Sequence, residues 1–143
     1  MKLKLAVVAL LTLFMASCKP TEIKNTDGII GKQWQLKTLN GKEITYKEGE
    51  QVVNFTLAAK ENNISGFSGC NRFFGSYTLE EGNRIRFSKL GSTMMACDFS
   101  DFNEHEFLEI FDKADNYTLV DGVLSINVGR RAPLAVFVEL PKK

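Results

Sequence analysis

Three cysteines, a serine set among glycines and a single histidine are the residues of this 143-residue chain whose types could do covalent chemistry. Cys70 and Cys97 stand apart rather than in a C-x-x-C pair, and His105 is the only imidazole, so a thiolate metal cage is short of ligands. No metal or other cofactor is expected. Gly66-Phe67-Ser68-Gly69 opens like a nucleophile elbow, yet an elbow needs glycine two places after the serine, where Cys70 stands, and a strand-to-helix turn. His105 falls on the helix face opposite Phe107 and Phe111, which suits a solvated residue better than a catalytic base. The chain thus offers no expected catalytic residue and reads as a non-enzyme.

Cys18 has a different setting. Lys2 and Lys4 precede an apolar run from Leu5 to Phe14, broken only by Thr12, and small residues follow at Ala16 and Ser17, the layout of a secretory signal over residues 1–17. A membrane-spanning helix needs roughly 20 consecutive apolar residues, and Lys19 and Pro20 end this run early. The cysteine directly after Ser17 resembles the lipobox of bacterial lipoproteins, with Met15 where leucine is usual. That resemblance implies a diacylglyceryl group on the Cys18 thiol and a further acyl chain, such as palmitate, on its freed amine. Two or more chains anchor stably where one binds only reversibly. The expected address is the bacterial cell envelope, lipid-anchored, on the periplasmic face of the outer membrane.

Lys2 and Lys4 leave with the signal, so the 18 basic residues become 16 against 17 acidic ones, a formal charge of −1. A near-neutral chain of interspersed signs lacks the basic face that phosphate backbones select, so no nucleic-acid partner is expected. Arg130-Arg131, the nearest thing to a basic cluster, sits between strand-like segments as a solvated turn. Residues 18–28 are polar, contain Pro20 and show no apolar periodicity, so they read as the acylated cysteine and a tether. A single domain over 29–140 and a tail of 141–143 follow.

The elements that must position these residues are mostly strands. Turn signals at short intervals separate segments that alternate apolar and polar residues, the period of half-buried antiparallel strands. Trp34, Leu36 and Thr38 share one side of the first, which ends at the tight-turn dipeptide Asn40-Gly41. Val53, Phe55 and Leu57 line the next. After Glu61-Asn62-Asn63 come Ile64 to Phe67, the Ser68-Gly69-Cys70-Asn71 stretch, and Phe73 to Leu79. A hairpin at Glu80 to Asn83 leads to a strand with Ile85 and Phe87 inside and Arg84, Arg86 and Ser88 wet. Leu124, Ile126 and Val128, then Leu134, Val136, Val138 and Leu140, make a final hairpin. Helical spacing occurs once, with Phe107, Leu108, Phe111 and Ala114 on a stripe and Ile110 at its edge; Asn103 can cap it, with Glu106 completing a capping box. The fold class is mainly β within α+β: a small antiparallel barrel or strongly curved sheet with one covering helix.

Gly66 to Tyr77, then Thr93-Met94-Met95-Ala96-Cys97, then Glu104 with Phe107-Leu108, resemble the META domain of HslJ-like heat-shock lipoproteins. The opening Gly31 to Leu36 and closing Tyr117, Leu124 to Ile126 and Leu134 to Phe137 fit the same pattern, so the resemblance covers roughly Gly31 to Val138. It implies a compact β-rich envelope protein associated with heat-shock, antibiotic or envelope stress, and no established reaction.

Within this frame Cys18 accounts for the odd thiol and leaves Cys70 and Cys97 as an even pair in a compartment where disulfides persist. A Cys70–Cys97 disulfide is the expected state, closing a loop of about 27 residues and stabilising the fold by roughly 3 kcal/mol. Buried free thiols, or a redox-active or metal-binding pair, are the alternatives. Asn71, Arg72 and Arg130 are the candidate ligand or partner contacts. Against that role, Arg72 has Glu104 or Asp98 as internal pairing candidates, and Asn71 next to a turn is expected to satisfy its own backbone. Thr93, Met94 and Met95 are expected in core packing with a backbone-bonding hydroxyl, and Phe73, Phe74 and Tyr77 in the core, where an exposed member would mark a partner surface. The leading expectation is a lipid-anchored binding or stabilising module whose partner is an envelope protein or small ligand. The alternatives are an inhibitor of an envelope hydrolase, lysozyme or protease, presenting Gly69 to Arg72 or Gly129 to Ala132, and a thiol-redox factor.

Overall fold

The structure, a computed structural model, describes residues 28–97 and 102–141. The leader, Cys18, residues 19–27 of the tether, Asp98 and the last two residues of the tail lie outside them. The described residues form β1 (Gln33–Leu39), β2 (Lys42–Glu43), β3 (Asn54–Leu57), β4 (Asn63–Phe67), β5 (Arg72–Glu80), β6 (Arg84–Ser92), α1 (Glu104–Lys113), β7 (Asn116–Val120), β8 (Val123–Asn127) and β9 (Ala135–Glu139). Eight strands follow one another around a closed antiparallel barrel, β1-β3-β4-β5-β6-β7-β8-β9, with β9 returning to β1. The short β2 hairpins onto the end of β1 at Thr38 and Leu39. Closure leaves the barrel without a long free edge.

The ring is uneven. Most neighbours share several paired residues, whereas β6 meets β7 in register only at Arg84 and Asn116, flanked by backbone bonds from Ile85 N to Asp115 O (3.2 Å) and from Tyr117 N to Asn83 O (2.9 Å). Beyond that point β6 continues on β5 alone, and α1, which lies between β6 and β7 in sequence, packs against it. The helix forms where expected. Asn103 caps it by accepting from Glu106 N at 3.0 Å, while Glu106 Oε1 accepts from Asn40 Nδ2 at 2.7 Å and ties the helix to the β1–β2 turn.

Phe107, Ile110 and Phe111 point from α1 into the barrel. Phe111 meets Phe55 edge to face at 5.6 Å, Phe87 at 4.9 Å and Phe107 at 5.4 Å, and Phe55 meets Phe137 at 4.9 Å. These are the offset geometries that ring quadrupoles prefer. Trp34 closes another part of the core, its indole N–H donating to Ile29 O at 2.9 Å.

Two inward phases differ from expectation. In β1 a bulge between Leu36 and Thr38 shifts the pairing with β9, so Leu39 rather than Thr38 is buried. In β9, Ala135 and Phe137 face inward, whereas Leu134, Val136, Val138 and Leu140 are only partly buried. Pairing fixes that phase, because Leu36 and Leu124 both lie opposite Phe137, and Leu39 and Ile126 opposite Ala135. An unbroken apolar run carries no polar half from which the phase could be read.

Phe111→Ala is expected to cost about 3–5 kcal/mol in chemical denaturation, since it removes the ring through which the helix meets Phe55, Phe73 and Phe87; a loss below about 1 kcal/mol would show that the helix is not part of the core. Buried phenols give a second test. The Tyr46 hydroxyl donates to Leu36 O at 3.0 Å and Tyr77 to Ala58 O at 2.8 Å. Burial pushes the Tyr46 phenol up to about 12, against a smaller downward pull from the Val53 backbone amide, and burial raises Tyr77 and Tyr117 as well. A phenol whose folded pKa lies above its unfolded value favours the fold fully below pH 10, the ordinary tyrosine value, and that contribution drains away as pH rises toward about 12. Stability should therefore fall across this alkaline window together with late tyrosinate absorbance; three tyrosines ionising at their ordinary value, with stability flat across the window, would contradict it.

Candidate functional site

The turn between β4 and β5 is where the two cysteine motifs meet the helix. Gly69 has φ +100°, and a β-carbon there would lie 2.6 Å from the Phe102 ring, so both conformation and space require glycine. Cys70 is bonded to Cys97, with Cα atoms 5.9 Å apart. The disulfide thus joins this turn to the segment that follows β6.

Asn71, 5% exposed, is the hub of the arrangement. Its Oδ1 accepts from Thr93 Oγ1 at 2.8 Å and from Met95 N at 2.7 Å. Its Nδ2 donates to Glu104 Oε2 at 2.9 Å and to Met95 O at 3.4 Å. The Asn71 backbone amide adds a bond to Glu104 Oε1 at 3.1 Å, and the Ser68 hydroxyl contacts the same carboxylate oxygen and Asn71 O. Glu104 is the first residue of α1, where a carboxylate also faces the positive end of the helix dipole. Three segments distant in sequence are thereby fastened: the β4–β5 turn, residues 93–97 and the helix N-terminus. Asn71 does not form the local turn bond expected of it, because the cross-links use its whole side chain.

Ser68 is fully buried and held within this cluster, which gives its hydroxyl no route to an outside substrate. Arg72 is not paired with Glu104, whose oxygens are taken by Ser68 and Asn71; its guanidinium is exposed while its backbone is pinned, N donating to Thr93 Oγ1 at 3.1 Å and O accepting from Thr93 N at 2.9 Å. The Thr93 hydroxyl does bond backbone, but Met94 and Met95 are 95% and 61% exposed rather than in the core. That segment must keep the Met95 backbone turned toward Asn71, which leaves the side chains outside. His105 is exposed. Among the described residues, no three His, Cys, Asp or Glu side chains are grouped to hold a metal ion.

Arg130 and Arg131 lie in an exposed turn, as expected. A polar knot that sequence reasoning missed fixes the start of that turn. Asp115 accepts from Gly129 N at 2.9 Å, Asn116 donates to Gly129 O at 3.0 Å, and buried Asn127 donates to Asn116 Oδ1 at 3.1 Å. The Gly129 amide, then Asn116, hold the Asp115 carboxyl below its usual range. Asx residues at a strand end read as ordinary turn formers, so only the fold brings these together.

Phe73 and Tyr77 are buried, but Phe74 is 58% exposed on the outer face of β5. It separates two shallow grooves. One, of about 430 Å³, runs from Gln33 past Thr56 and Phe67 to Arg72; the other, of about 460 Å³, lies toward Ser76 and Lys89. Asn54, 8% exposed, floors the first groove, accepting from Gln33 Nε2 at 3.0 Å and donating to Val52 O at 2.8 Å.

The hub predicts distinct losses. Asn71→Ala should cost about 2–3 kcal/mol, because buried donors and acceptors on both sides lose their partner. Cys70→Ser with Cys97→Ser should cost about 3 kcal/mol in non-reducing denaturation and abolish the response of stability to reductant. If reductant has no effect on the wild-type protein, the disulfide does not form.

The META domain profile matches residues 27–140, which includes every element above. No curated protein matches significantly. Two solved structures share the fold. An NMR structure of a protein from Burkholderia xenovorans aligns with a TM-score of 0.64 and 25% identity over 82% of this chain and 88% of that one. A second NMR structure aligns with a TM-score of 0.61 and 21% identity over 78% of this chain and 92% of the other. With the family profile spanning the whole barrel and its helix, the chain belongs to the META domain family.

Proposed function

We propose that this protein is a lipid-anchored, non-catalytic binding module of the bacterial envelope that acts under heat, antibiotic or envelope stress. META-domain membership is consistent with an envelope-associated accessory protein. The observation that carries the binding reading is the division of labour around the β4–β5 turn. Ser68, Asn71 and Glu104 are engaged with one another, while the adjoining Phe74 and Arg72 face solvent. Groups that could do chemistry hold the fold, and groups suited to contact are left on the surface. Anchoring rests on the lipobox-like leader ending at Ser17-Cys18.

The two alternatives have less support. An inhibitory loop at Gly69 to Arg72 would have little to offer besides Arg72, since Asn71 faces inward. A redox role would require a disulfide that can be cycled without loss of the helix anchor beside it, and Asn71 couples the two.

Mass spectrometry of the mature protein should find Cys18 as the N-terminal residue, carrying acyl chains; an unmodified Cys18 or cleavage elsewhere refutes the anchor. Affinity capture from heat-stressed envelopes should recover a component with the wild-type chain and lose most of it with Phe74→Ala. Equal recovery by both, in a variant with wild-type stability, would remove the binding role from this face.

A further inference from the structure

We infer that the outer face of β3 to β5 is a binding site for an extended glycan bearing carboxylates, which deepens the binding-module reading and rests on it. The ladder across five strands places Gln33, Thr56, Ser65, Phe74 and Gly91 in successive register, each paired with the next. A parallel row runs Asn54, Phe67, Arg72. On the far side of Phe74, Asn63 pairs with Ser76 and Ser76 with Ser88. The face is therefore built from amides and hydroxyls around two aromatic rings. Amides and hydroxyls each donate and accept, which is the complement of sugar hydroxyls that do the same.

Phe74 supplies what a merely solvated sheet face lacks. It is 58% exposed, and its position opposite Gly91 leaves it a neighbour with no side chain; a β-carbon on Gly91 would lie 3.2 Å from the ring. A bulge in the β5–β6 pairing brings Gly75 against Ser88 O and Leu90, and Lys89 takes φ 54° beside it. The ring thus stands as a ridge between the two grooves, where the apolar face of a pyranose can lie on it. Phe67, half-buried and outside the core cluster, offers a second ring in the first groove.

Charge selects among glycans. Arg72 lines one groove and Lys89 the other, neither has an ion pair among the described residues, and no Asp or Glu lines either groove. Elsewhere on the barrel the wet face differs: Glu80 pairs with Arg84 at 3.6 Å and with Arg86 at 3.9 Å. Two cations with no ion pair among the described residues, flanking an aromatic-ridged face whose described lining is otherwise uncharged, fit a chain of sugars with carboxylates on more than one unit. Occupying both grooves requires a ligand that crosses Phe74, hence an oligomer rather than a single sugar. Openness of the grooves suits a long ligand held at several points.

The test uses the intact chain in detergent, titrated with an oligogalacturonate tetramer as the acidic probe and an N-acetylglucosamine tetramer as the neutral one, and read by amide NMR shifts and calorimetry. The expected result is shifts centred on Thr56, Ser65 and Phe74, with the acidic oligomer binding about tenfold more tightly than the neutral one. Phe74→Ala should weaken both about tenfold with the core amide spectrum unchanged, and Arg72→Gln with Lys89→Gln should remove the acidic preference and its salt dependence. Absence of shifts at millimolar oligomer, equal affinity for the two probes, or unaltered binding by Phe74→Ala would each overturn the inference. Phe74-dependent capture of an envelope protein, with no glycan shifts, would overturn the glycan while leaving the binding module; loss of both would overturn both.

Discussion

The four hydrogen bonds of the Asn71 side chain are the constraint on which the rest of this barrel depends. An amide has two donors and two acceptor lone pairs, and here Thr93, the Met95 backbone and Glu104 take all four. Thr93 and Met95 belong to the strand exit after β6 and Glu104 to the helix start, so one buried side chain sets the distance between the β4–β5 turn and both of them. The neighbouring disulfide joins two of those stretches by a different route. It limits the unfolded chain, whereas Asn71 acts only once the native geometry exists. The two devices are therefore complementary: the covalent link raises the chance that the segments meet, and the hydrogen bonds decide how.

What the latch secures is the weakest part of the ring. With β6 and β7 paired in register at a single residue, the barrel cannot rely on a full ladder there, and α1 must cover the gap. Helix stability in isolation would be marginal at this length. It is supplied by contacts of Phe111 with Phe55, Phe73 and Phe87 on the strands, and by anchors at the N-terminal end from Asn71 to Glu104 and from Asn40 to Glu106. Core packing sets how deep the helix sits, and the polar anchors set its direction.

Much of this was legible from the chain because strand period and caps are local signals. Val53, Phe55 and Leu57 alternate into the core, Asn103 caps the helix, and the sheet with one covering helix follows from element count. The phase of β9 was not legible, since Leu134 to Val138 is apolar on both sides and only its pairing with β1 and β8 selects Ala135 and Phe137. Nor was the role of Asn71. Its sequence neighbours suggest a turn, and its partners lie 22 to 33 residues away. Met94 and Met95 misled for a related reason: their apolar side chains suggest burial, but the Met95 backbone is what the fold uses.

The latch also bears on the contact role proposed for Arg72 and Phe74 on a strand that begins beside a turn. Strand ends and turns are ordinarily where a sheet is loosest, and a binding group placed there loses affinity to the cost of ordering it. Here both backbone groups of Arg72 are bonded to Thr93, and Thr93 is bonded in turn to Asn71. The main chain that carries the cation thus has both of its polar groups bonded, although its side chain is in solvent. Phe74, two residues on, is paired with Ser65 on one side and Gly91 on the other, just before the bulge in the β5–β6 pairing. Burying Asn71 beneath the start of β5 therefore has a consequence on the opposite side of the same strand: it holds the backbone that carries the Phe74 ring and the Arg72 side chain, which is the preorganisation that the proposed binding role would require of a shallow face.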